Sequence, residues 1–150
     1  MAEVTFYFNV KNREQALAQL VGKAVAQKCA VSVLTASEAE VAHLDRLLWD
    51  TPQTGFLPHC RAGDDIAAQT PVVLDCRAEL LSPRQVLFNW TGDVISAVAE
   101  HDRIIEIVPQ DEEQRLAARE RWRGWQALGL KPVAIDMLEL ARQRSGGEAA

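Results

Sequence analysis

A chain of 150 residues with 48% hydrophobic content is long enough to bury the core of one domain without disulfides or a structural metal. The formal net charge of −5 argues against a molecule whose whole surface binds nucleic acid, because phosphate contacts need concentrated positive charge. Any basic site must be local.

Cys29, Cys60 and Cys76 are odd in number and widely spaced, with no CxxC pair and no histidine at zinc-ligand spacing. They are expected as reduced thiols of a cytosolic protein with no metal centre. The start Met1-Ala2-Glu3-Val4 lacks a basic stretch followed by an apolar run, and no stretch of about 18 apolar residues occurs, so neither secretion nor membrane insertion is expected.

Val4 to Val10 is rich in β-branched and aromatic residues and suits a central strand with apolar groups on both faces. From Arg13 to Lys28 the apolar positions Ala16, Leu17, Leu20, Val21, Ala24 and Val25 recur at three and four, which predicts a helix. Ala30 to Thr35 predicts a second strand. Ser37 with Glu40 three residues later is a capping-box signature ahead of Val41, Leu44, Leu47 and Leu48. This βαβα order favours a parallel sheet.

Asp50 to Thr70 contains Pro52, Gly55, Pro58 and Gly63 and is expected to be mostly loop, with Gly55-Phe56-Leu57-Pro58 as a candidate contact surface. Pro71 to Asp75 and Val86 to Trp90 are predicted strands, Asp93 to Glu100 a short helix, and Arg103 to Val108 the final strand. A last long helix is expected from Asp111, where Asp111-Glu112-Glu113 suits a helix N-terminus, to Leu128, with Gly129 as its stop. Beyond Met137 the polar end is expected to fray.

The alternation of strands and helices invites a nucleotide-dependent enzyme as the alternative reading. The first strand-to-helix turn, Asn9-Val10-Lys11-Asn12-Arg13, contains no glycine, whereas phosphate-binding loops need glycines so that backbone N–H groups can approach the ligand. Lys11 and Arg13 are expected as solvated charges. His43, His59 and His101 form no metal motif, no serine sits in a GxSxG elbow, and Cys60 beside His59 lacks an identifiable orienting group. No catalytic residue and no cofactor are expected.

Arg115, Arg119, Arg121 and Arg123 crowd into nine positions. Arg115, Arg119 and Trp122 fall at i, i+4 and i+7 and share one helical face, flanked by Arg123. The stripe is about 10 Å long, roughly the reach of three extended peptide residues. Forked guanidinium groups suit carboxylates and an indole covers apolar surface, so an acidic peptide with one apolar anchor fits this face. Periodicity alone favours a plainer arrangement, in which the arginines pair with Glu112 and Glu120 along a solvated helix and Trp122 packs inward.

Three ordered blocks tip that balance. Thr5-Phe6-Tyr7, then Leu48-Trp49-Asp50-Thr51-Pro52 followed by Phe56-Leu57-Pro58-His59, and Val108-Pro109 leading into Leu116-Ala117-Ala118-Arg119-Glu120-Arg121-Trp122, resemble the chi subunit family of DNA polymerase III. The agreement in order and spacing runs from about residue 4 to residue 137. The resemblance implies that Val108, Arg115, Arg119 and Trp122 form the site for the acidic, aromatic-terminated C-terminal tail of single-stranded-DNA-binding protein. The arginines would take the carboxylates, while Val108 and Trp122 would contact the terminal Phe. This sequence departs in having Arg115 where lysine is familiar and Trp122 where tyrosine is familiar; charge and aromaticity are kept, and a hydroxyl contact is lost. The resemblance also implies that Trp49 and Phe56 seat the psi subunit or a competing repair helicase. Trp90 and Trp125 are assigned to packing.

The expectation is therefore a single three-layer α/β/α domain with a mainly parallel central sheet, Rossmann-like but without a nucleotide site. It covers residues 1–137, with 138–150 as a partly disordered extension. Its expected role is that of a non-catalytic adaptor at replication forks in the cytoplasm, touching DNA only indirectly.

Overall fold

A computed structural model of the chain describes residues 2–50, 58–96 and 100–149, with side chains as far as residue 143. Seven strands and four α-helices follow in the order β1 (Glu3–Val10), α1 (Arg13–Ala26), β2 (Val31–Leu34), α2 (Glu38–Asp50), β3 (His59–Arg61), β4 (Val72–Asp75), β5 (Val86–Asn89), β6 (Arg103–Pro109), α3 (Glu112–Ala127), β7 (Pro132–Asp136) and α4 (Met137–Ala149). One sheet holds all seven strands in the order β3-β4-β2-β5-β6-β1-β7, and every neighbouring pair is parallel. No helix among the described residues is long and apolar enough to cross a membrane.

The sheet divides the core into two layers because side chains alternate along each strand. On one face, Val10, Val31, Val33, Leu74, Phe88, Ile105 and Ile107 pack with Leu17 and Val21 of α1 and Val41, Leu44 and Leu48 of α2. On the other, Val4, Phe6, Leu34, Val73, Leu87, Ile104 and Val108 pack with Ala118 and Trp125 of α3. The three-layer α/β/α arrangement follows from that alternation. β1 lies between β6 and β7, and its apolar character on both faces, with Val4 and Phe6 to one side and Val10 to the other, reflects that interior position.

Local chemistry sets the helix ends. Asn12 caps α1, its side-chain oxygen accepting the Gln15 N–H at 2.9 Å. Ser37 Oγ accepts the Glu40 N–H at 3.3 Å, and the Glu40 carboxylate reaches back to the Ala36 N–H at 3.3 Å, one residue earlier than the simple reciprocal box. Asp111 precedes α3, and Gly129, at φ +85°, lies in the left-handed region just beyond its end.

Three expectations need correction. Arg103 to Val108 is not the final strand, because Pro132–Asp136 returns as β7 to pair with β1 at the sheet edge. The stretch read as loop carries β3 and a short 3₁₀ turn at Ala67–Gln69. Both missed strands are edges, where one flank is unpaired and a continuous apolar run is not required. Residues 93–95 of the expected short helix are not helical, while 97–99 lie outside the described residues.

Candidate functional site

Val108 near the end of β6, Phe6 and Phe8 of β1, Ala134 of β7 and Arg115, Ala118, Arg119 and Trp122 of α3 together line a cleft of about 240 Å³. All four residues predicted for peptide-tail binding are brought to it. The cleft runs between α3 and the sheet margin formed by β6, β1 and β7, and alternation turns Phe6, Phe8 and Val108 toward the helix. Phe6 pairs in register with Ala134, so the floor is continuous across two strands. Its volume falls below the range of about 300–1,000 Å³ usual for small-molecule pockets.

The walls differ in polarity. Trp122 is half-buried and tilts against Phe6, ring centroids 5.1 Å apart at 49°. Val108, on the same cleft lining, is buried. Arg115 and Arg119 are exposed, and neither guanidinium enters an ion pair among the described residues. The solvated pairing weighed above is realised instead by Arg123, which donates to Glu120 at 3.0 Å. The cleft therefore combines an apolar floor, an indole wall and two available cations.

Arg121, in the same basic run, has a different fate. It is buried, and its Nε donates to Glu106 Oε1 at 3.1 Å. Glu106 Oε2 accepts from Trp125 Nε1 and Asn89 Nδ2, each at 3.0 Å. Burial raises the Glu106 carboxyl above the ordinary carboxylate range, opposed by the Arg121 charge and by hydrogen bonds from Trp125, Asn89 and Arg121. Donors engage both oxygens, so the site hydrogen-bonds the ionised form. Sequence reasoning missed this group, although two signals were available: a Glu inside the apolar run Ile104-Ile105-Glu106-Ile107-Val108, and Arg121 at helical spacing with Ala118 and Trp125.

The second predicted surface is half described. Trp49, at the end of α2, is 53% exposed and leans on His59 with ring centroids 4.7 Å apart. Phe56 lies outside the described residues. His59 is itself buried, its Nε2 3.1 Å from both the carbonyl and a carboxylate oxygen of Asp45, while Cys60 packs into the opposite core layer. Alternation along β3 thus separates the only adjacent thiol and imidazole pair considered for nucleophilic chemistry.

Other polar clusters are committed internally. Arg13 is not a solvated charge: its guanidinium lies 3.6 Å from the Trp90 ring centroid, its Nε donates to the Ile107 carbonyl at 3.4 Å, and burial lowers its pKa. Glu38, Asp75 and Cys76 bring three potential metal donors within 4.8 Å, but Arg61 pairs with Glu38 and Arg77 Nε lies 3.4 Å from Asp75, so cations already occupy the cluster. A larger cleft of about 750 Å³ sits at the opposite, N-terminal ends of β2, β4 and β5. Its Arg84 donates to the carbonyls of Ala67, Thr70 and Pro71 at 2.6, 2.8 and 3.2 Å, which commits three of its five N–H groups to tying these loop segments together. Ligands of open α/β sheets bind outside the carboxyl ends of the strands, which is not where this cleft lies.

The chain also has named relatives. It is 31% identical to DNA polymerase III subunit chi of Pseudomonas aeruginosa over 133 residues, covering 86% of this chain and 92% of the relative. The Haemophilus influenzae subunit chi is 28% identical over 95 residues, 59% of this chain and 66% of its own. The Escherichia coli subunit chi is 24% identical over 100 residues, 66% of this chain and 68% of its own. The family described as DNA polymerase III chi subunit, HolC, matches residues 1–133, a span that contains Trp49 and every lining residue of the α3 cleft except Ala134, and the chain accordingly belongs to that family of replicative polymerase subunits.

Proposed function

We propose that this chi-family chain is a non-catalytic adaptor whose α3 cleft receives the acidic, aromatic-terminated C-terminal tail of single-stranded-DNA-binding protein. The observation that carries the reading is the convergence of Val108, Arg115, Arg119 and Trp122 on one cleft whose two outer guanidinium groups have no internal carboxylate partner among the described residues. The arginines steer and fork onto the tail carboxylates, and the terminal aromatic ring enters between Trp122 and Val108. A short flexible tail loses conformational entropy on binding and makes few contacts, so the isolated interaction is modest and weakens as salt screens the arginines. Several tails on one oligomer then supply avidity.

The exposed Trp49, with Phe56, seats a second partner, the psi subunit of the clamp-loader complex or a repair helicase. Contact with DNA is indirect, and the adaptor works in the cytoplasm at replication forks. Residues 138–149 belong to α4, and among the described residues they contribute no lining residue to the cleft.

The deciding measurement is fluorescence anisotropy with a labelled acidic, Phe-terminated peptide. Charge-assisted hydrogen bonds are each worth about 1.5–3 kcal/mol, so Arg119→Ala is expected to weaken binding by roughly ten- to hundredfold. Unchanged affinity removes the cleft from the mechanism.

A further inference from the structure

We infer that Glu106 is a positioning residue for the α3 cleft, setting the orientation in which the helix presents Arg115, Arg119 and Trp122. This rests on the tail-binding reading above. Glu106 touches none of the surfaces offered to a peptide, being 1% exposed on β6. Its carboxylate instead takes two side chains of α3 that are one helical turn apart, Arg121 through Oε1 at 3.1 Å and Trp125 through Oε2 at 3.0 Å. Two contacts at i and i+4 fix both the rotation of a helix about its axis and its slide along the sheet.

The remaining contact ties the clamp to the rest of the sheet. Asn89 on β5 donates to Glu106 Oε2 at 3.0 Å and to the Asp93 carbonyl at 2.8 Å. Phe6 stands beside Glu106 in the β1–β6 register and carries Trp122 on its ring. Val108 follows two residues after Glu106 on the same face of β6 and lines the cleft. The clamp and the cleft floor thus share a strand, and the clamp and the cleft wall share a helix. Turning α3 at Arg121 moves the neighbouring Trp122 relative to Val108, and moves the long guanidinium arms of Arg115 and Arg119 further still.

The pattern of donors predicts which substitution is informative. Arg121, Trp125 and Asn89 all present N–H groups to Glu106, so both carboxylate oxygens serve as acceptors. Glu106→Gln keeps the shape but places an amide N–H₂ against one of those donors in either orientation of the amide. α3 must then give up a contact and relax its seat, although no cleft residue has changed.

The test uses the full chain with indole ¹⁵N-labelled tryptophans. Glu106→Gln and Arg121→Gln are compared with wild type at a temperature where circular dichroism shows each to be fully folded, so that loss of folded protein does not count as loss of affinity. Each variant is expected to bind the labelled Phe-terminated acidic peptide about tenfold more weakly and, without peptide, to shift the Trp122 indole resonance while leaving Trp49 in place. Wild-type affinity with an unmoved Trp122 resonance in the folded variants overturns the inference. If Glu106→Gln does not fold, Arg121→Gln decides by the same two readouts. Failure of the tail reading is separable: wild type then binds no peptide, and the Trp122 resonance alone decides whether Glu106 positions the helix.

Discussion

Trp122 of α3 stands on Phe6 of β1 with ring centroids 5.1 Å apart and planes tilted by 49°, so a half-exposed indole is braced from below by a side chain only 3% exposed. Tilted aromatic pairs at this separation add about 0.5–1.5 kcal/mol beyond area burial. The contact holds one wall of the cleft upright in the free protein, and on the proposed tail-binding reading that lowers the ordering cost of binding.

Replacing Trp122 therefore separates wall from charge. Trp122→Ala is expected to cost about 2 kcal/mol of tail-peptide binding, the level of an interface hot spot, or roughly thirtyfold in Kd. Trp122→Phe retains a ring against Phe6 and is expected to lose less than half of that free energy. Isothermal titration calorimetry on the two variants checks the order, and equal losses would show that the indole edge rather than the aromatic wall matters.

Gly124 gives a prediction opposite to helix propensity. Alanine is favoured over glycine inside a helix by about 1 kcal/mol. A Cβ at Gly124, however, would lie 2.6 Å from Val94 Cγ2 and 3.3 Å from Val94 Cβ. Valine is stiff at χ1 and cannot swing aside freely, and overpacking costs about 1–3 kcal/mol. Gly124→Ala is expected to be neutral or destabilising in urea unfolding, and Val94→Ala in the same chain should uncover the propensity gain. Simple additivity of the two changes would show that the neighbours do not interact.

The central strands were legible because burial on both faces leaves a nearly continuous apolar run, as in β1 and β6. Edge strands leave a weaker trace. β3 is His59-Cys60-Arg61 and β7 begins at Pro132, with exposed Val133 and Ala134, so neither departs far from loop composition. The cleft was legible in part: spacing places Arg115, Arg119 and Trp122 on one face, but the same spacing fits a solvated helix. What separates the two is the distribution of carboxylates in space. Glu120 goes to Arg123 and Glu106 goes to Arg121, and the latter pairing joins residues on different elements that no local pattern connects.

The two tryptophans Trp49 and Trp125 should respond in opposite ways. Trp125 is fully buried and donates to Glu106, so Trp125→Ala combines a core cavity with the loss of a donor to a buried carboxylate and is expected to cost at least 3–5 kcal/mol, by the range of about 3–5 kcal/mol for buried aromatic truncations. Trp49 is 53% exposed, and Trp49→Ala is expected to cost under about 1 kcal/mol while removing a partner in pull-down from extract. A large loss of stability at Trp49, or retention of every partner, would return it to a structural role.

Asp136 joins β7, β1 and α4 through one oxygen. Its Oδ1 accepts from Asn9 Nδ2 at 3.1 Å and from the backbone N–H groups of Leu138 and Glu139 at 2.9 and 3.3 Å, so it caps α4 while holding Asn9, whose φ is +60°. The Asn9 hydrogen bond, followed by the backbone donors, lowers the Asp136 pKa below its ordinary value. A carboxylate depressed in the folded state stabilises the protein above its unfolded pKa of about 3.9, and that contribution is lost as pH falls through the folded value. Thermal unfolding of wild type and Asp136→Asn between pH 7 and pH 2.5 tests the sign. Wild type is expected to be the more stable at neutral pH, with the difference shrinking below about pH 4 as Asp136 takes up its proton. A difference that persists unchanged at the acid end would mean that Asp136 acts by shape and hydrogen-bond geometry, not by charge.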